Sequence, residues 1–189
     1  MRKFITSLLL TAILFAGGTG FGVDTAPLKG NHPPDAERLG VVGDADPTQR
    51  LAMQIHFATR NQAELGQLLA AQQNPSSPNF HKWLAPGEYA RRFGPRQQDI
   101  DAVAQWLRSR GFRVDSTSGG VVDFSGSVAQ AEDAFAVRIK RFGDGRSYAN
   151  IDDPTIPSQF DGVIANIGGL DNMMRAVPLG PHGAPPSSR

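Results

Sequence analysis

The stretch from Arg50 to Phe57 restricts the fold more than any other part of the chain. Leu51, Met53, Ile55 and Phe57 alternate with Ala52, Gln54, His56 and Ala58, the period of two that belongs to a strand with one buried face. Such a strand needs a sheet covered by apolar residues on one side only. The residues that follow offer the cover: Asn61 with Glu64 three positions on fits a helix start, and Leu65, Leu68 and Leu69 form an apolar stripe at helical spacing.

Pro75 and Pro78 in "NPSSP" end this helix, because each pushes the preceding residue out of helical space. Pro86 suits the first position of a short helix running through Phe93, which Gly94 and Pro95 stop. A longer helix is predicted from about residue 97 to 110, with Ile100, Val103 and Leu107 on one face, Trp106 beside them and Gly111 as the C-terminal stop. "FRVDSTSGGVVDFSGS" reads as a hairpin: Phe112 and Val114 alternate with charges, Gly119-Gly120 turns, and Val122 and Phe124 continue the buried face. Ser127 and Gln130 form a capping box ahead of a stripe of Val128, Ala131 and Phe135. "VRIKRF" and "YAN", joined by "GDGRS", make another strand pair. After Pro157, "DGVIANIGGL" predicts a short helical turn and a last strand with Val163, Ala165 and Ile167 on one face. The main elements run strand, helix, strand, strand, helix, strand. That order predicts an α+β, ferredoxin-like (split βαβ) antiparallel sheet with helices on one face, plus an extra short helix and hairpin.

The ends differ from this ordered middle. "MRKFITSLLLTAILFAGG" has two cations, an apolar run and then small residues, the plan of a signal peptide over residues 1–22, with a cleavage window at 16–26. The run is short of the ~20 apolar residues of a membrane span. Residues 23–48, rich in Gly, Pro and Asp, read as a flexible leader, residues 49–172 as the folded domain, and residues 173–189 as a disordered Pro/Gly/Ser-rich tail. Removing Arg2 and Lys3 with the signal leaves 17 of the 19 cations against 18 carboxylates, a balance that argues against nucleic acid. There is no cysteine among the 189 residues, so an exported domain of this size is held by its one core, without disulfides. The expected location is secreted or periplasmic, with no stable membrane association after signal cleavage.

No catalytic constellation assembles from the residues. His32, His56, His81 and His182 are scattered and, without cysteine, give no zinc pattern, so neither cofactor nor metal is expected. Asp99/Asp101 and Glu132/Asp133 are neighbours on predicted helices and point in different directions. Asp152-Asp153-Pro154 is turn chemistry. Ser125-Gly126-Ser127 resembles a nucleophile turn only superficially, because it already serves as strand end and helix cap. The stretch "NPSSPNFHKWLAPGEYARRFG", at residues 74–94, interleaves aromatics with cations. It admits a stacking or acid/base site, but reads better as scaffolding, with Phe80, Trp83, Leu84, Tyr89 and Phe93 in the core.

Several motifs in order nevertheless resemble a known family. "NPSSPNFHKWLAPGEYARRFGPRQQDIDAVAQWLRSRGFRV" carries Ser77, Pro78, His81, Lys82, Trp83, Leu84, Phe93, Gly94, Trp106, Leu107, Gly111 and Phe112. "VVDFSGSVAQAEDAF" adds Phe124, Gly126 and Phe135, and "YANIDDPTIPSQFDGVIANIGGLDN" adds Asn150, Pro157, Gly169 and Leu170. Together, over about residues 50–172, they resemble the pro-kumamolisin activation domain, the N-terminal propeptide of the sedolisin (serine-carboxyl) peptidases. Ala85 stands where the family has a Thr or Ser cap, and Gly87 where it has a Glu. The resemblance implies a module that packs on a sedolisin-type catalytic domain as inhibitor and folding chaperone. It also implies that the segment after "GLDN" threads the substrate cleft, here Met173, Met174, Arg175, Ala176, Val177, Pro178, Leu179 and His182. The His81-Lys82-Trp83-Leu84 motif is then expected to dock the short helix on the core and to shape the partner-facing surface.

Family precursors continue into a subtilisin-like domain whose Ser-Glu-Asp triad carries E-x-x-x-D and S-G-T-S-A motifs. This sequence contains neither, and is expected to be the pro-part without the peptidase and not itself an enzyme, either a truncated precursor or a protein acting in trans. The alternative is a secreted ferredoxin-like binding protein unrelated to proteolysis.

Overall fold

Alternation at Arg50–Phe57 does build a one-sided strand. Leu51, Met53 and Ile55 are buried, while Ala52 and Gln54 face solvent. The structure, a computed structural model, describes residues 24–34, 38, 40–85 and 87–173. In chain order its elements are β1 (Thr25–Pro27), β2 (Val41–Asp44), β3 (Arg50–Phe57), α1 (Gln62–Gln73), α2 (Glu88–Phe93), α3 (Gln97–Ser109), β4 (Arg113–Ser116), β5 (Val121–Ser127), α4 (Val128–Phe135), β6 (Ile139–Phe142), β7 (Ser147–Asn150), β8 (Thr155–Pro157), a 3-10 turn at Ser158–Phe160, and β9 (Ile164–Gly168).

The principal sheet has the order β4-β5-β3-β9 with every pair antiparallel. Counting only β3, β4, β5 and β9, with α3 and α4 as crossovers, gives the split βαβ arrangement expected of the ferredoxin-like class. Ile100, Val103 and Leu107 of α3 join Val128, Ala131 and Phe135 of α4 and the inner residues of β3 and β5 in one apolar cluster. Its centre is aromatic: Phe112 packs edge-on to Phe124 and stacked on Phe135, and Trp106 lies against Phe135 and Phe160. Gly126 makes this packing possible, because a Cβ there would meet the Phe112 ring at 2.4 Å. The opposite face of the sheet is polar, with Gln54 Nε2 donating to Asp123 Oδ1 at 2.7 Å and Arg50 to Ser125 Oγ at 3.1 Å.

The capping box forms as expected: Gln130 N donates to Ser127 Oγ at 3.2 Å and Ser127 N to Gln130 Oε1 at 2.8 Å. The two N–H groups that follow on α4 are taken by Gln49 and Pro47 carbonyls, so the connection into β3 finishes the cap. Other expectations fail. Residues 23–48, expected as a flexible leader, hold β1, which pairs with β8, and β2, which pairs with β6 to make a β2-β6-β7 sheet. Leu28 and Ala45 are buried there. These strands are three and four residues long, too short for any period to show. In β9 the buried residues are Ile164 and Ile167 and Ala165 is exposed, because a register shift opposite His56/Phe57 breaks the alternation. In α1 the leucine stripe is not core: Leu65 and Leu68 are half-buried, Leu69 is exposed, and the buried residue is Gln72.

The expected signal segment, residues 1–22, Pro86, and Met174 to His182 of the expected cleft-threading linker lie outside the described residues. No helix among the described residues is long and apolar enough to cross a membrane.

Candidate partner-docking surface and chain exit

The chain leaves the domain through "GLDN". Gly169 has φ +86°, and a Cβ there would stand 2.2 Å from the Ala52 carbonyl oxygen, so the backbone presses on β3 where only glycine fits. Leu170 is buried in the core. Asn172 then pairs with β7 as a single added strand residue: its N donates to Tyr148 O at 3.1 Å, its Oδ1 accepts from Tyr148 N at 2.8 Å, and its Nδ2 donates to Arg146 O at 3.0 Å. Met173 packs on the buried pair Phe142 and Ala149, as does Ile151. The exit point is therefore anchored by three hydrogen bonds and an apolar contact.

Beside the exit, the loop at residues 28–34 is fastened to β9 and to one carboxylate. Asn31 Oδ1 accepts from Ile167 N at 2.6 Å and its Nδ2 donates to Ile167 O at 2.9 Å, so one amide side chain pairs with the edge strand as a backbone would. Asp153 accepts from Gly30 N at 3.0 Å, from Asn31 N at 2.8 Å, and lies 2.7 Å from His32 Nδ1. The His32 hydrogen bond, with help from the two backbone donors, holds the Asp153 carboxyl below its usual range. Next to it, Arg138 grips Asp152 with two bonds of 2.7 Å and lowers that carboxyl too. A cleft of about 540 Å³ separates this loop from Asp171 and Met173. Asp152 and Asp153, read from sequence as turn residues, thus fix two distant parts of the chain. Asn31, Asp153 and Asn172 gave no signal of their roles, because their partners lie far along the chain.

The aromatic stretch forms a ledge on the α1–α2 side. Successive turns begin with Ser77 N on Asn74 O, Phe80 N on Ser77 O and Lys82 N on Asn79 O. His81 takes φ +54°, a conformation that costs a residue with a Cβ about 1–2 kcal/mol. The buried Gln72 holds the loop from below: its side-chain Nε2 donates to Lys82 O at 2.5 Å and its backbone carbonyl accepts from His81 N at 3.1 Å. Above that clasp the rings of Phe80 and His81 stack at 3.7 Å, and those of His81 and Trp83 at 6.1 Å. Trp83 is 69% and Tyr89 47% exposed. The scaffolding expectation is thus corrected for both: neither ring is core, because α1 and α2 stand off the sheet and leave that side open. Phe93 alone of the five is fully buried, and Phe80 and Leu84 are partly covered.

Helix α2 begins at Glu88, later than expected, with Gly87 at φ +80° as its cap. Glu88 keeps the return half of a capping box, accepting from Ala85 N at 3.3 Å, while its own N donates to the Ala85 carbonyl at 3.0 Å. Arg92 ties the two helices by pairing with Glu64 at 2.6 Å and Glu88 at 3.1 Å. Asn61, expected to cap α1, sits at φ +51° and donates to Arg92 O instead.

Placed in the fold, the motif residues divide in two. Phe93, Leu107, Phe112, Phe124, Gly126, Phe135, Asn150, Pro157 and Leu170 are buried, Trp106 half-buried, and Gly94, Gly111 and Gly169 occupy turns. Asn150 donates to Asn31 O and Asp152 O at 2.7 and 2.9 Å. Pro78, His81, Lys82 and Trp83 are exposed. Ser127 is committed to its cap, and the described residues contain no group of three or more metal-ligand side chains.

A family model described as "Pro-kumamolisin, activation domain" matches residues 37–173. Xanthomonalisin of Xanthomonas sp. (strain T-22) is 30% identical over 127 residues, 65% of this chain and 15% of that protein. Sedolisin of Pseudomonas sp. (strain 101) is 27% identical over 129 residues, 66% of this chain and 22% of its own. Tripeptidyl-peptidase sed4 of Aspergillus fumigatus is 29% identical over 107 residues, 57% of this chain and 18% of its own. The chain thus spans less than a quarter of the length of these relatives.

Proposed function

The chain belongs to the pro-kumamolisin activation-domain family, the propeptide domain of sedolisin-type peptidases, and on that premise we propose that it binds a sedolisin-type catalytic domain as inhibitor and folding chaperone. The activation domain is not itself catalytic; the chemistry belongs to the partner. The observation that carries the reading is the anchored exit at Asn172 and Met173. An inhibitory segment binds more tightly when its approach to the cleft is set in advance, since ordering it on binding costs free energy. Residues from Met173 on, with Met174, Arg175, Ala176, Val177, Pro178, Leu179 and His182, are the segment proposed to enter the substrate cleft. The proposed location is extracytoplasmic, reached through an N-terminal signal.

Acid is the proposed release. Asp46, Asp144, Asp152 and Asp153 all have carboxyls held below the usual value by hydrogen bonds to Thr48, Arg146, Arg138 and His32 in that order. A lowered carboxyl stabilises the fold above its unfolded pKa, near 4, and that contribution is lost as pH falls through the folded value. Acid also removes negative charge from the chain while its cations stay, so self-repulsion grows. The chain, mixed with mature xanthomonalisin or sedolisin, is expected to bind and inhibit near pH 6–7 and to dissociate as pH falls below about 4. Binding that is flat with pH refutes the acid release. Absence of binding at every pH refutes the propeptide reading and favours a binding protein unrelated to proteolysis.

A further inference from the structure

The large apolar side chains left exposed among the described residues are Val41, Val42, Leu69, Trp83 and Tyr89. The last three lie on α1, on the ledge that follows it, and on α2. They are not loosely displayed. Gln72, 3% exposed, holds the Lys82 carbonyl and the His81 amide, His81 accepts a left-handed backbone, and Arg92 clamps α1 to α2 through Glu64 and Glu88. A buried amide and a costly φ are thus used to keep an aromatic stack facing solvent in one orientation, a combination that marks a surface built to be covered.

Charge says what covers it. Between residues 60 and 96 the sequence has five cations, Arg60, Lys82, Arg91, Arg92 and Arg96, against two acids, Glu64 and Glu88. Both acids are engaged by Arg92, while Lys82, Arg91 and Arg96 in the same segment are exposed. The complementary surface is acidic with an apolar socket. A fixed ring orientation complements a fixed socket on a folded protein; a lipid surface or flexible polyanion demands no such preorganisation.

We propose that this ledge is a docking surface for the catalytic body of a sedolisin-type peptidase, with Trp83 as its central anchor, Tyr89 and Leu69 flanking it, and Lys82 and Arg91 meeting carboxylates at the rim. Trp, Tyr and Arg are the side chains that dominate protein interfaces. The inference rests on the function proposed above and adds the surface and the partner chemistry.

The test uses the full chain and its Trp83→Ala, Tyr89→Ala and Lys82→Glu variants. All three changes are at exposed positions, so far-UV circular dichroism is expected to match wild type and urea unfolding to stay cooperative, with at most a modest fall in midpoint. Inhibition of mature xanthomonalisin at about pH 6.5 is expected to weaken at least tenfold for Trp83→Ala, roughly the loss of an interface anchor. For Lys82→Glu a smaller loss, shrinking as salt is raised, is expected. In chain labelled with 5-fluorotryptophan, the Trp83 fluorine resonance shifts when the peptidase is added and that of Trp106 does not. Wild-type inhibition retained by a folded Trp83→Ala, or an unmoved Trp83 resonance in an inhibited complex, overturns the ledge while leaving the proposed function standing. A wild-type chain that inhibits neither xanthomonalisin nor sedolisin overturns that function, and the ledge with it. Binding to phosphatidylglycerol vesicles, or self-association on gel filtration, that disappears in Trp83→Ala while inhibition persists assigns the ledge to another occupant and overturns the proposal.

Discussion

Replacing Asp153 by Ala tests the fastening of the loop at residues 28–34. The carboxylate accepts from Gly30 N, Asn31 N and His32 Nδ1 at 3.0, 2.8 and 2.7 Å. A hydrogen bond of this kind contributes about 0.5–1.5 kcal/mol net. Gly30 is exposed and His32 only partly covered, so water can replace part of what is lost and the lower half of the range applies. Three bonds then give about 2 kcal/mol at pH 7. The same loop carries Asn31, whose amide pairs with Ile167, so its release also opens the β9 edge. The sign with pH follows from the lowered Asp153 carboxyl. The wild type keeps this stabilisation above about pH 4 and loses it as pH falls further, through the folded value, so the cost of the substitution shrinks in acid. Urea unfolding of both chains at about pH 7, 4 and 2.5 measures the cost, and amide exchange at Ile167 measures the edge. A cost that is the same at every pH, or exchange at Ile167 unchanged by the substitution, refutes the reasoning.

Trp83→Ala is expected to cost less than about 1.5 kcal/mol, because only about a third of an indole that would bury roughly 250 Å² in a core is covered. Urea melts that instead show the 3–5 kcal/mol of a truncated core aromatic would mean that the ring is packed. Ser127→Ala removes a cap that accepts from Gln130 N and should lower stability by about 1 kcal/mol in the same assay. An unchanged midpoint would show that the Gln49 and Pro47 carbonyls suffice at that helix end.

Local patterns were readable wherever a residue's partner is near in sequence or its role repeats with a period. The Ser127/Gln130 box needs partners three residues apart, and the alternation at Leu51, Met53 and Ile55 and the stripe at Ile100, Val103 and Leu107 need only a face to bury. All of these formed, and with them the order that gives the β4-β5-β3-β9 sheet. Periodicity reports which residues share a face, not whether anything arrives to cover it. The stripe at Leu65, Leu68 and Leu69 also has helical spacing, yet nothing among the described residues buries it fully, and Trp83 and Tyr89 in the segments that follow are exposed as well. Short strands such as β1 and β2 have no period to detect, and are made by pairing with β8 and β6. Asp153 is separated from Gly30 by 123 positions, and Asn31 from Ile167 by 136. Such contacts form between groups that the chain brings together only after its core has closed, so the exit, the loop beside it and the exposed ledge belong to the folded molecule and not to any window of its sequence.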